Sequence, residues 1–297
     1  MAVVQVLETM RAVAPFGVRC WDPVLDDQVR AGLTLTAWPE SGVGRRVRGF
    51  RTASDVYALH GLPGLQAFEY PTAEAAAVGS PPSPPPTRGF VVQIDDLEER
   101  YLSAAFRVDL PLPDPGVFLS PPLSSPASGT PAGFLLFSTP TRRAPSWLAV
   151  VRGELEDVTD GTPARHALVR VELAGDTYFG LADDAGRFAA LLRYPAPEEL
   201  LGGSPGGGGP RSLAESTWPL SVEVLYSPAS HEPLAGTPLP GYLSLLQQEP
   251  AEIFTTTPAD GGIAQPDWSG ELAYRQQLVL RTAGTSKLLI RPGDSSP

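Results

Sequence analysis

Proline and glycine interrupt this chain too often for long helices: there are 34 Pro and 30 Gly among 297 residues. An interior proline removes a helical hydrogen bond and clashes with the preceding turn. An interior glycine costs a helix about 1 kcal/mol relative to alanine. A helical bundle, a coiled coil and a doubly wound α/β enzyme all need uninterrupted helices, so all three are excluded. General disorder is excluded as well, because 42% of the residues are hydrophobic and only 19% are charged. What remains is a chain of short strands joined by turns.

Strand patterns recur at about ten-residue spacing, which marks a sandwich or barrel. In the first half, Leu33 and Leu35 alternate with Thr34 and Thr36, the signature of a half-buried strand. Further strands are expected at 56–60, 90–94, 101–110 and 117–119. In the second half they are expected at 147–155, 167–173, 178–181, 187–193, 220–226, 242–247, 252–257, 277–282 and 287–290. Short helical turns are expected only at 197–201 and 269–275. Pro/Gly-rich segments at 78–87, 120–131 and 201–212 read as long loops or linkers. Residues 1–13 fit a strand or a short helix, and residues 1–16 could form an arm exchanged with a partner.

The net charge of −11 opposes nucleic-acid binding, which needs a basic stripe to displace counterions. No apolar run approaches a membrane span. The N-terminus lacks the pattern of a secretory signal peptide. The expected location is therefore cytoplasmic on synthesis, with an extracellular or particle-associated destination left open. Cys20 is the single cysteine, so there is no intramolecular disulfide and no thiolate zinc cluster. The chain has one lysine, Lys287, and no asparagine. An N-linked glycosylation acceptor and a Lys–Asn isopeptide crosslink are both impossible.

Catalytic motifs are missing. No two of His60, His166 and His231 lie within four residues, so no short metal-binding pair exists. His60 reads as a strand-end residue bonded to a loop carbonyl, and His231 as a solvated loop residue. There is no G-x-S-x-G elbow, and the glycine run at 206–209 lacks the Lys-Ser/Thr of a P-loop. The acids at 95–99 and at Asp183-Asp184 read as turns. No catalytic, cofactor or metal residue is assigned. Among the five tryptophans, Trp38 at a strand end and Trp268 in a loop are the candidate contacts for a glycan or a protein partner.

Two segments share a pattern. One runs from 32 to 64 and includes Thr52-Ala-Ser-Asp55-Val-Tyr57. The other runs from 167 to 191 and includes Asp183-Asp-Ala-Gly186-Arg-Phe188. In each, an acidic turn precedes an aromatic residue expected to drop between two sheets. The pattern resembles the carboxypeptidase regulatory-like and transthyretin-like family of β-sandwiches, more closely in the second copy. The resemblance implies an all-β protein of two transthyretin-like or immunoglobulin-like sandwich domains with long Pro/Gly-rich loops. The first domain would span 1–138 with the loop at 78–87, and the second 139–297 with the loop at 201–212.

A narrower resemblance is carried by TASDVYALHGLPGL at 52–65, FVVQIDDLEERYLSAAFRVDLPLP at 90–113 and the following G-V-F-L-S. These segments resemble accessory proteins of phage-tail-like contractile injection systems. That resemblance implies a bacterial, non-enzymatic structural or adaptor protein docking into a multi-subunit assembly, at a baseplate, cap or fibre attachment. The alternatives are a carbohydrate-binding module using Trp38 or Trp268, and an enzyme of an unrecognised type.

Overall fold

The computed structural model describes residues 12–70, 86–113, 116–118, 133–195 and 216–293. Residues 1–11 of the expected N-terminal arm, most of the three Pro/Gly-rich segments and the helical turn expected at 197–201 lie outside the described residues, while Phe16, at the end of that arm, opens a core strand of this chain. The chain folds as an all-β sandwich protein.

In the first half, the Leu33–Pro39 strand lies between Val47–Arg48 and Arg88–Asp96, and Ala104–Leu110 completes an antiparallel sheet. The alternation read from sequence holds, since Leu35 and Ala37 are buried while Thr34 and Thr36 are not. The chain then turns a corner at Gly49 into Phe50–Arg51, the edge of a second sheet that also contains Tyr57–Leu59, Phe16–Val18 and Val117–Phe118. A Cβ at Gly49 would stand 2.8 Å from Leu35 Cδ2 and 2.9 Å from the Ala58 carbonyl oxygen, so the corner admits no larger residue. A small third sheet joins Phe134–Leu135, Cys20–Asp22 and Asp27–Gln28. Between these layers lie Phe16, Leu35, Phe106 and Phe134, with Phe106 stacked on Phe118 at 4.4 Å.

The second half is built on the Leu148–Asp157 strand. It pairs antiparallel with Arg187–Arg193 and parallel with Gln277–Leu280 and Leu288–Arg291. The facing sheet runs Asp176–Leu181, Leu168–Leu173, Thr217–Leu225, Trp268–Ala273. Val169, Val171, Phe188 and Val222 fill the space between. The acidic turn behaves as its sequence suggests. Asp183 Oδ1 accepts from the backbone N–H groups of Ala185 and Arg187, both at 2.9 Å, and Phe188 then enters the core. In the first half, Tyr57 takes the corresponding buried place.

The two cores meet. Leu181, Leu168 and Leu225 stand in register across three strands of the second half. This row packs into the core of the first half rather than its own. Two elements depart from expectation here. Residues 242–247, read as a strand, form the helix Tyr242–Leu246. The three- and four-residue spacing of Tyr242, Leu245 and Leu246 puts these side chains on one helical face, and that face packs into the first core. Residues 269–275, read as helix, instead carry the strand Trp268–Ala273, in register with Thr217–Val222, and the turn that follows it.

Candidate functional site at the junction of the two halves

The two tryptophans singled out from sequence differ in setting. Trp38 is only 2% exposed. Its Nε1–H donates to the Ala235 carbonyl at 2.7 Å, and the Arg46 guanidinium lies 4.2 Å from the ring centroid. Arg46 also donates to the Gly236 carbonyl at 2.5 Å. Gly236 has a φ of +82°, and a Cβ there would stand 2.8 Å from Trp38 Nε1. The indole is a clamp for the 234–239 segment, so Trp38, named from sequence as a candidate contact for a glycan or a partner, is shut off from either. Trp268 opens a strand instead of sitting in a loop, and is half-buried with its indole lying over Gly270.

The Ala235–Tyr242 segment returns from the second half to the first. The Tyr242 hydroxyl donates to the Leu135 carbonyl at 2.9 Å, and its ring lies 4.4 Å from that of Phe134. On the connector between the halves, a polar cluster holds the chain. Asp22 Oδ2 accepts from the Tyr101 hydroxyl at 2.7 Å and from Arg142 at 2.5 Å. Its Oδ1 accepts from the N–H groups of Val24 and Leu25. Burial, reinforced by the Asp22 carboxylate, pushes the Tyr101 phenol above its usual range. Arg152 donates to the carbonyls of Pro140 and Arg142, at 2.6 and 2.9 Å. Arg193 donates to the Val24 carbonyl at 3.0 Å, where Val24 packs on Leu148 and Leu191.

The histidines also fall differently from their sequence reading. His60 packs edge-on against Tyr70 with its Nδ1 3.9 Å from Glu69 Oε2, and not on a loop carbonyl. His231 is half-buried, not solvated. Its Nε2 lies 3.1 Å from Gln248 Oε1, an acceptor, so Nε2 carries the proton. Gln248 Nε2 donates to the carbonyls of His166 and Leu245, at 2.8 and 3.0 Å. The His166 and His231 rings are edge-on at 5.9 Å, and His166 Nε2 lies 3.3 Å from Asp184 Oδ1. Burial lowers the His166 pKa, with His231 and Arg165 adding to the effect and Asp184 opposing it. Sequence spacing hides this pair, because the two histidines are 65 positions apart.

Beside His166 a cleft of about 190 Å³ opens between the halves. Leu102, Leu181, Leu239 and Leu245 line its apolar part, and Ser103 and Asp184 stand at the rim. Asp183 is occupied by Arg187, which donates to Oδ2 at 2.8 and 3.0 Å. Among the described residues, no cluster of three or more His, Cys, Asp or Glu is arranged to hold a metal ion. Among them, too, no helix is long and apolar enough to cross a membrane.

No family model matches this chain, and no curated protein matches it. Three solved structures overlap it loosely. The shaft pilin spaA from Lactobacillus rhamnosus GG is 8% identical over 97% of this chain and 100% of its own, with a TM-score of 0.22. A candidate adhesin from Bacteroides ovatus ATCC 8483 is 10% identical over 98% of this chain and 100% of its own, with a TM-score of 0.20. Overlaps this loose assign no role to the chain.

Proposed function

We propose that this chain is a non-enzymatic structural adaptor that docks as one rigid unit into a multi-subunit assembly. The supporting observation is the junction. Trp38, Tyr242, the Asp22–Tyr101–Arg142 cluster and the leucine row tie the halves together at several separate points. A spacer transmits position only if its parts do not rotate against each other, and inter-domain rotation is the default unless the interface is large and apolar. The division at 138/139 into two sandwich domains belongs to this reading, as does an extracellular or particle-bound site of action.

The finer setting is a phage-tail-like contractile injection apparatus, at a baseplate, cap or fibre attachment. It rests on the resemblance of residues 52–65 and 90–113. Light scattering on the purified chain, followed by electron microscopy of particles from producing cells, tests it. The chain is expected at a fixed position in such particles. Its absence from every assembly overturns the reading. A carbohydrate-binding role is the second reading, and Trp268 is the residue that favours it, since it is only half-buried and stands on an edge strand. That reading requires a glycan-array signal that Trp268→Ala abolishes.

A further inference from the structure

We propose that the cleft beside His166 receives a basic side chain, lysine or arginine, from a partner protein. The inference takes its partner from the adaptor reading and its chemistry from the cleft alone. The cleft has two parts of different character. Leu181 and Leu245 are buried at its floor, and Leu102 and Leu239 are half-buried in its walls. At the rim, the Asp184 side chain is 80% exposed. Among the described residues, no lysine or arginine lines the cleft.

A long basic side chain matches both parts at once. Its methylene stem covers the leucines while its charged head stays at the wet rim beside a carboxylate. An apolar side chain satisfies the floor and leaves the carboxylate without a cation. An acidic side chain meets Asp184 as a like charge. Asp183 adds little attraction, because Arg187 already neutralises it. The cleft is formed by segments of both halves together with the 239–245 segment. An occupant would therefore touch the junction that keeps the unit rigid.

His166 gives the site a second property. Its ring lies against Asp184 and His231, with Asp183 and Arg165 close enough to act on it. When His166 binds a proton it becomes a cation competing for Asp184, so affinity for a basic occupant falls as the pH drops. The group that meets the occupant, Asp184, projects largely into solvent, so its replacement does not threaten the fold.

The test uses the full chain with leucine methyl groups labelled for NMR. Nα-acetyl-lysine methylamide is titrated in, with Nα-acetyl-norleucine methylamide as the uncharged comparison. Saturable shifts confined to Leu102, Leu181, Leu239 and Leu245 are expected for the lysine probe. The norleucine probe is expected to bind at least fivefold more weakly. Asp184→Asn is expected to abolish this preference while leaving the free spectrum folded. His166→Gln is expected to retain binding at neutral pH and to remove its decline on acidification. No saturable shifts, equal responses to the two probes, or a preference unchanged by Asp184→Asn would each overturn the proposal. If the lysine probe binds as described but the chain never joins an assembly, the adaptor reading fails and the cleft assignment stands.

Discussion

Arg142 reaches Asp22 across 120 positions of sequence, and Tyr101 reaches it across 79. Both Asp22 and Arg142 are nearly shut off from solvent, with side-chain exposures of 2% and 8%. Removing one partner of such a pair strands the other charge, which typically costs about 3–5 kcal/mol. Arg142→Ala is therefore expected to lower unfolding free energy by about that amount. Tyr101→Phe deletes one hydrogen bond to a charged acceptor and is expected to cost about 1.5–3 kcal/mol. Urea unfolding midpoints at constant m-value measure both. None of this was legible beforehand. Asp22 makes local bonds as well, its Oδ1 accepting from the N–H groups of Val24 and Leu25. Its long-range partners leave no local signature.

His166 makes a separate prediction at the same scale. Its folded-state pKa lies below the ordinary 6.5, mainly because the ring is buried. The unfolded chain then binds a proton more readily than the folded one. The contribution of the neutral ring is fully present above pH 6.5 and is lost as the pH falls through the lowered folded-state value. Wild-type stability, followed by denaturant unfolding between pH 7.5 and 5, is expected to decline on acidification. His166→Gln is expected to show a shallower decline over that range, and an unchanged slope would contradict the assignment.

Strands bounded by clear turn residues were the readable ones. Arg187–Arg193 has the bounds that its pattern implies, and Leu168–Leu173 begins one residue later than expected. Turn residues bound both; Leu168–Leu173 alternates between buried and more exposed positions, while Phe188 to Leu192 are buried without a break. The misread elements lack such a local signature. Tyr242–Leu246 is a single helical turn, too short for propensity to decide. It is held by the aromatic rings of Phe134 and Phe137 in the other half. Trp268–Ala273 carries Gly270 where a strand would favour a side chain, and that space is taken by the Trp268 indole. Tyr242→Ala is expected to destabilise the protein by about 3–5 kcal/mol, the range for large aromatic truncations in cores. Tyr242→Phe is expected to cost about 1 kcal/mol through the lost bond to Leu135. Near-UV circular dichroism during denaturant titration separates the two. Equal losses would show that the ring itself carries little.

For the molecule as a whole, the abundance of proline and glycine pointed correctly to strands and turns. It carried no information about how one half sits on the other. That relation is made by single residues. A glycine at 236 lets the chain pass close over an indole, a row of leucines faces the neighbouring core, and an arginine crosses the connector. The adaptor reading depends on these ties behaving as one rigid body. Cys20 allows a direct measurement, because it is 1% exposed and burial pushes its thiol up to about 12, leaving it inert toward labelling. Spin labels placed by Leu97→Cys and Ile263→Cys, at sites 70% and 78% exposed, report on the two halves. Pulsed dipolar spectroscopy is expected to give one narrow distance distribution, which broadens when Arg142→Ala loosens the connector. A broad or two-peaked distribution in the otherwise unaltered chain would contradict the account.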